Sequence, residues 1–185
     1  LVFFFSLMQS SLGQSRGYIE NKGQWDDAVL AKFQLANGVA WIMKDRVRFP
    51  LIEENVNHEA EEFAHDHPTE DFWVDGHCYE MIYGVNQPEQ VEFAGKHSDY
   101  VNYFIGKQRS KWASRVGIYN AINVHEVREG VDLTWSMDAG RMKYTFRLDA
   151  GIDPSQLFVD YQAVRGLRLV EGNLVISLPN LEVEE

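Results

Sequence analysis

The stretch VDLTWSMDAGRMKYTFRLDAG, residues 131–151, decides the fold class. Apolar residues alternate with polar ones in its first half, at Val131, Leu133, Trp135 and Met137. The alternation resumes in its second half, at Met142, Tyr144, Phe146 and Leu148. A glycine-containing turn, residues 138–140, separates the halves. Period two on both sides of a turn predicts a β-hairpin with one buried face.

Shorter stretches repeat this pattern along the chain. Two further hairpins are predicted, VAWIMKDRVRFPL (39–51), turning at Lys44-Asp45, and LRLVEGNLVISL (167–178), turning at residues 171–173. Single strands are predicted for HCYEMIYGV (77–85), VEFAG (91–95), YVNYFIG (100–106) and LFVDYQ (157–162). Asp153 and Pro154 predict one helical turn, as N-cap and first helical residue. We therefore expect an all-β fold, an antiparallel β-sandwich or partly closed barrel built from hairpins, with at most one or two short helical turns.

The two ends of the chain differ from its middle. LVFFFSLMQSSLG, residues 1–13, is an apolar run followed by small polar residues, which predicts a signal peptide remnant; a buried strand is the alternative. The run is too short to span a bilayer as a helix, so we expect no stable membrane span. Residues 14–185 are then a single β-rich domain, and the strand-like NLVISLPNLEVEE at its end predicts an N-terminal piece of a longer protein.

Negative charge is concentrated in one segment. The chain carries a formal net charge of −11, and residues 53–71 hold eight acids with no lysine or arginine, which leaves −3 for all the other residues. Phosphate is repelled by such a surface, so we expect no nucleic acid partner. The composition of the segment is typical of a solvated acidic loop or insertion, and residues 57–65 are its one candidate helix.

The same acidic segment contains the candidate metal ligands. His58, His65 and His67 lie among carboxylates, and imidazole with carboxylate suits zinc or another divalent ion. The metalloprotease motif is missed, because Glu62 stands where its second histidine would be. A metal-stabilised scaffold therefore stays an alternative to a solvated loop.

Aromatic side chains provide the candidate ligand-binding residues. We expect Trp41 and Trp135 in the core, whereas Trp73 and Trp112 are the candidates for exposed rings that stack on a sugar. Trp112 belongs to NYFIGKQRSKWASRVGIY (102–119), which has four cations and no acid. Here we favour a loop anchored by Trp112, with cations facing water or neighbouring acids; binding of an anionic ligand is the alternative.

Catalytic signatures are scarce. Cys78 is the only cysteine, which excludes an intrachain disulfide and a cysteine-based zinc site; we expect it to pack as a small hydrophobic residue. The sequence has no P-loop and no G-x-G-x-x-G motif. We therefore predict no catalytic residue and no cofactor, and we favour a protein without enzymatic activity.

Five stretches occur together in a pattern that resembles a known family. They are GYIENKGQW (17–25), NYFIGKQRSKWASRVGIYNAI (102–122), GVDLTW (130–135), KYTFRLDAGIDPSQL (143–157) and GNLVI (172–176). They resemble an N-terminal domain of unknown function from large secreted bacterial surface proteins. In that family the domain commonly precedes SBBP-type β-propeller repeats, and the protein often ends in a gliding-motility-associated domain, a signal for type IX secretion. The resemblance runs from Gly17 to the end of the chain.

The resemblance implies a secreted or cell-surface location and a mostly β module with no established activity. We therefore expect a non-catalytic module for adhesion, assembly or display of downstream repeats. Its partners would be a surface glycan or protein, together with the β-propeller repeats of its own chain. A carbohydrate-binding or polysaccharide-acting module is the second expectation, and the metal-stabilised scaffold is the third.

Overall fold

The computed structural model describes residues 2–6, 17–35, 38–52, 76–84, 90–179 and 181–185. Across these residues the chain is almost entirely antiparallel β-structure, and two single 3-10 turns are its helical parts. The predicted all-β class is therefore confirmed. Among the described residues, no helix has the length and apolar character needed to cross a membrane.

Fourteen strands are described. The first seven are β1 (Val2–Ser6), β2 (Tyr18–Glu20), β3 (Val29–Leu35), β4 (Gly38–Met43), β5 (Arg46–Ile52), β6 (Gly76–Ile82) and β7 (Val91–Tyr103). The others are β8 (Ala113–Arg128), β9 (Val131–Asp138), β10 (Arg141–Leu148), β11 (Asp160–Gln162), β12 (Gly166–Val170), β13 (Asn173–Ser177) and β14 (Glu182–Glu184). The 3-10 turns are Arg109–Lys111 and Pro154–Gln156.

The strands form one large sheet and one small sheet. The large sheet has the order β1-β10-β9-β8-β2-β3-β4-β5-β6-β11, with β7 paired to β8 beside this path, and it curls into a half-barrel. The small sheet has the order β12-β13-β14. Side chains of both sheets belong to a single apolar core, to which the small sheet contributes Ile176 and Val183, and the connection after β13 contributes Leu178.

The hairpin predicted from residues 131–151 is β9–β10. Trp135 lies opposite Tyr144 and Leu133 opposite Phe146, and all four side chains are buried. Burying each such side chain stabilises the fold by roughly 1.5–3 kcal/mol relative to exposure. The apolar and polar residues that alternate along this hairpin are therefore its buried and its outward-facing residues, respectively.

The other predicted hairpins are confirmed as β4–β5 and β12–β13. The helical turn is confirmed too, because the Asp153 carboxylate accepts a hydrogen bond of 2.9 Å from the backbone N–H of Ser155. VEFAG and YVNYFIG, however, belong to one continuous strand, β7.

Cys78 corrects an expectation. Its side chain is exposed rather than packed as a small hydrophobic residue. The reason is the phase of β6, in which Tyr79 and Met81 point into the core and their neighbours therefore point outward. Burial of the region around the sulfur nevertheless raises the pKa of the Cys78 thiol.

Two predictions concern segments that the structure describes only in part or not at all. The acidic segment 53–71 and the possible helix at 57–65 lie outside them. The backbone of β1, within the predicted signal peptide remnant, pairs antiparallel with β10. Removal of residues 1–13 stays a prediction.

Candidate functional site

The candidate site is the end of the β7–β8 hairpin. Here the two strands are joined by residues 104–112, all of which are exposed. Three large rings are exposed together: Tyr100 to 51%, Phe104 to 57% and Trp112 to 40%. Two guanidinium groups, of Arg109 and Arg115, stack on two of these rings. We call these five side chains the aromatic–arginine face.

The opposite side of the hairpin is attached to the body of the protein. Tyr103 points inward and its ring centroid lies 5.2 Å from that of Trp25, which in turn lies 5.0 Å from that of Trp41. Burial raises the pKa of the Tyr103 hydroxyl. Lys111 Nζ also donates a hydrogen bond of 2.9 Å to the carbonyl of Trp25. Since side chains alternate along a strand, this inward Tyr103 turns its neighbours Asn102 and Phe104 outward.

Trp112 is held by the loop that it closes. Its Nε1–H donates a hydrogen bond of 3.2 Å to the carbonyl of Gly106. Its ring packs edge-on against Phe104, with centroids 5.8 Å apart, and the Arg109 guanidinium carbon lies 5.5 Å from its centroid. Trp112 is thus both the loop anchor and the exposed ring that the sequence predicts. Its indole N–H is hydrogen-bonded, while much of its ring surface stays in solvent.

Arg115 is aimed by an irregularity in β8. The register between β7 and β8 shifts next to it, and its backbone has φ of 52°. Its backbone N–H donates a hydrogen bond of 2.9 Å to Oδ1 of Asn102, and its guanidinium carbon lies 5.7 Å from the centroid of Tyr100. Bulges of this kind redirect a side chain locally.

The cations of the hairpin end are not neutralised by the described part of the protein. Among the described residues, no ion pair joins Lys107, Arg109 or Arg115 to a carboxylate. Arginines elsewhere do pair with carboxylates, namely Arg46, Arg48, Arg147 and Arg168. The hairpin end is therefore a local positive surface on an acidic protein.

A shallow cavity of about 330 Å³ lies elsewhere, between the β4–β5 turn and residues 27–28. The two arginines that line it are paired with carboxylates: Arg46 lies 2.8 Å from both Asp45 and Glu80, and Arg48 also pairs with Glu80. These carboxylates raise the pKa of Arg46. The cavity therefore offers a ligand Asp27 and Lys44, one charge of each sign, while its arginines are already paired.

The described residues show no assembled catalytic group. No cluster of three or more His, Cys, Asp or Glu side chains that could hold a metal occurs among them. His125 Nδ1 lies 3.4 Å from Asp132 Oδ2 and its Nε2 lies 3.7 Å from Glu92 Oε2, but that Nε2 is buried. The histidine therefore links β7, β8 and β9 and does not face a substrate space.

The sequence does contain one G-x-S-x-G string, at residues 13–17. A nucleophile elbow of that pattern requires a helix directly after the serine turn. Here Gly17 leads directly into strand β2, and Ser15 lies outside the described residues. The string therefore lacks the structural context of a nucleophile elbow.

The structure distributes the other sequence candidates as follows. Trp135 is buried in the core, as expected. Trp41 corrects the expectation of a core position: it is only half-buried, because β4 points Ala40 and Ile42 inward and Trp41 outward, against Trp25. Trp73 and the histidines His58, His65 and His67 lie outside the described residues.

Sequence reasoning did not identify Tyr100 and Phe104 as exposed members of the site. The signal was present in the alternation of YVNYFIG, which puts both residues on one side of the predicted strand. It could not show which side faces solvent, since that depends on the contact between Tyr103 and Trp25.

A family model described as a domain of unknown function, DUF7948, matches residues 18–185. The match includes the whole β7–β8 hairpin and both sheets apart from β1. No curated protein and no solved structure matches the chain. The expected resemblance to a domain of unknown function is confirmed, while the repeats and the export route stay predictions.

Proposed function

We propose that this chain, which belongs to the family described as a domain of unknown function (DUF7948), is a non-catalytic binding module of a secreted or cell-surface protein. Its task is adhesion, assembly or display of the repeats that follow it. The location and the following SBBP-type β-propeller repeats rest on the signal-like first residues and on the sequence resemblance. N-terminal sequencing of exported protein should find a mature chain that begins near residue 14.

The observation that carries the proposal is the aromatic–arginine face. Large aromatic side chains supply most of the contact energy in binding surfaces, and grouping three of them in solvent forgoes the stabilisation of burying them. A contiguous exposed apolar patch on a folded domain marks an interaction site more often than single exposed residues do. The contact of Tyr103 with Trp25 and the hydrogen bond from Lys111 to Trp25 attach the hairpin that presents these rings to the body of the protein.

The arrangement of ionisable groups supports binding rather than catalysis. The arginines of the cavity, Arg46 and Arg48, are paired with Asp45 and Glu80, and the buried Nε2 of His125 cannot reach a substrate. Catalytic acids and bases need access to the reacting atoms. The exposed arginines, by contrast, are placed to contact a ligand and carry no proton that they could exchange at neutral pH.

The experiment measures binding of the labelled 185-residue chain to bacterial envelope material. We expect saturable binding by the wild type, at least tenfold weaker binding by the double variant Phe104→Ala/Trp112→Ala, and no change with Phe158→Ala. Phe158 is a matched control, because it is 58% exposed and has the guanidinium of Arg128 3.8 Å from its centroid. A cooperative melt must accompany each variant.

Two results would count against the proposal. One is envelope binding that the double variant leaves intact. The other is turnover on a panel of glycosides and peptides that a single acidic substitution abolishes, since this would establish an enzyme.

A further inference from the structure

We infer that the aromatic–arginine face binds an acidic polysaccharide, a polymer of sugars bearing carboxylate or sulfate groups. The inference rests on the proposed function and specifies the ligand class of its site. It follows from the charge of the hairpin end, from the exposed rings, and from their arrangement along one side of an extended hairpin.

The positive charge of the hairpin end favours an anionic ligand. Residues 102–119 carry four cations and no acid. Since no ion pair of the described residues involves Lys107, Arg109 or Arg115, these charges stabilise a negative ligand at this end of the hairpin. Arg109 and Arg115 offer planar, forked donors that match the two oxygens of a carboxylate or sulfate.

The rings select a ligand with an apolar face. The face of an aromatic ring carries partial negative charge, so it attracts C–H groups that carry partial positive charge. The flat side of a sugar ring presents such groups, while its hydroxyls point outward. Tyr100, Phe104 and Trp112 thus supply stacking surfaces and the arginines supply the ionic contacts.

The spacing selects a polymer over a single sugar. Tyr100 on β7 and Phe104, the first residue after β7, are four residues apart, a separation of about 13 Å for an extended chain. Arg115 stacks beside Tyr100, and Arg109 stacks beside Trp112. Each end of the face therefore combines a ring with a cation, which fits a chain that carries a negative charge at intervals.

The same features disfavour a membrane surface. A loop that enters a bilayer carries apolar residues at its tip and cations behind them. Here the middle of the loop is polar, Lys107 to Ser110, and the exposed apolar side chains of Phe104, Ile105 and Trp112 stand at its base. Single-stranded nucleic acid would also match rings and cations, so single-stranded DNA is one of the comparison ligands in the test.

The test is a titration of the 185-residue chain with defined polymers, followed by biolayer interferometry. The ligands are polygalacturonate, alginate and chondroitin sulfate; neutral dextran, single-stranded DNA and phosphatidylglycerol vesicles are the comparisons. We expect at least one acidic polysaccharide to bind at least tenfold more tightly than dextran, DNA and the vesicles. Its affinity should fall as salt is raised.

Variants separate the two kinds of contact. Phe104→Ala/Trp112→Ala should weaken binding at least tenfold, and Arg109→Gln/Arg115→Gln should abolish the preference for acidic over neutral polymers. Phe158→Ala and Arg165→Ala, an exposed ring and an exposed arginine outside the hairpin, should change neither. Circular dichroism and a cooperative melt establish that each variant is folded.

The inference is overturned if none of the acidic polysaccharides binds, if dextran binds equally well, or if DNA or vesicles bind more tightly. It is also overturned if either double variant binds as the wild type does. These failures are distinguishable from failure of the proposed function. Envelope binding that is lost with Phe104→Ala/Trp112→Ala would still support a binding module, with another ligand.

Discussion

Arg115 occupies a backbone conformation that arginine rarely adopts. Its φ of 52° lies in the left-handed region, which costs a residue with a side chain roughly 1–2 kcal/mol. The hydrogen bond from its N–H to Asn102 offsets part of this cost. The conformation also directs the guanidinium over Tyr100. Local strain at this position therefore accompanies the placement of a cation in the candidate site.

Replacing Arg115 by glycine should separate stability from binding. Arg115→Gly relieves the strain, while the greater freedom of glycine in the unfolded chain opposes the gain, so we expect up to about 1 kcal/mol of added stability. The affinity for acidic polysaccharide should fall at the same time. Urea unfolding and the titration above measure the two effects.

Glu126→Gly is the matched control for this substitution. Glu126 also lies on β8 with φ of 53°, but it is outside the aromatic–arginine face. We expect a similar change in stability and an unchanged affinity. A loss of more than 1 kcal/mol in Arg115→Gly alone would mean that the arginine holds the hairpin together instead of serving a ligand.

At the scale of elements, two hairpins are each closed by a two-residue turn. β9–β10 turns through Ala139 and Gly140, with φ of 49° and 79°, and β12–β13 turns through Glu171 and Gly172, with φ of 52° and 92°. Positive φ at both positions matches the right-handed twist of the strands and favours Asn-Gly. Both hairpins thus have the preferred second residue and a less suitable first one.

Ala139→Asn and Glu171→Asn should each stabilise the protein, by about 0.5 kcal/mol or more, because asparagine tolerates positive φ better than alanine or glutamate. Thermal unfolding measures the change, at about 2–4 °C per kcal/mol for a chain of this size. Glu129→Asn is the control, since Glu129 also precedes a turn glycine but is not at positive φ. Equal gains at all three positions would refute the backbone explanation.

The acidic segment 53–71 permits a prediction at the same scale. Because the sequence favours a solvated loop over a metal site, the melting temperature should be unchanged by EDTA, zinc or calcium. A ligand that binds the native state must raise its stability. A rise of several degrees that is lost in His65→Ala/His67→Ala would instead establish the metal-stabilised scaffold.

At the scale of the whole molecule, Glu185 joins elements that are far apart in the chain. Its backbone pairs with Leu174 of the small sheet, and its carboxyl accepts a hydrogen bond from the Tyr161 hydroxyl on β11. The Tyr144 hydroxyl on β10 contacts the same carboxyl. Since β10 and β11 lie near opposite ends of the large sheet, the carboxyl helps to bring the two ends of the half-barrel together.

This buried carboxyl should make stability depend on pH. Burial raises the pKa of Glu185, and the two tyrosine hydroxyls only partly offset it. The native state therefore holds the proton more firmly than the unfolded state. The resulting stability is fully present below the unfolded pKa of about 4.3 and is lost as pH rises through the folded pKa.

Glu185→Gln should remove this dependence. We expect the variant to gain stability relative to wild type as pH rises from 4 toward 7, measured by urea unfolding at each pH. Glu80→Gln should behave in the opposite way: burial raises the pKa of Glu80, but Arg48 and Arg46 outweigh it, so the pKa is lowered. The stability that Glu80 contributes is present at neutral pH and is lost in acid. If both variants changed stability in the same direction across this pH range, the assignment of opposite pKa shifts to Glu185 and Glu80 would be contradicted.

Much of the fold could be predicted because its pairings are local. The hairpins β4–β5, β9–β10 and β12–β13 join neighbouring stretches, and alternation shows which side of each is buried. β8 was not predicted, since Val116, Gly117 and Ile118 are buried in succession next to the bulge at Arg115. A bulge shifts the phase of a strand and hides its period.

The candidate site was predictable in part. The sequence drew attention to residues 102–119 and to Trp112 because cations and rings are concentrated there. It did not distinguish the outward Phe104 from the inward Tyr103, which differ only in what they contact. A single strand has two equivalent sides until another element covers one of them.

By itself, the sequence determined the β class, the principal hairpins and the helical turn capped by Asp153, because these depend on residues close together in the chain. Only the tertiary structure decided the sheet order, the pairing of Tyr18 with Tyr119 and the exposure of Cys78 and Phe104. Those features arise from contacts between distant segments. Their energies depend on which surfaces meet, and hydrophobic periodicity along one segment carries no information about its partner.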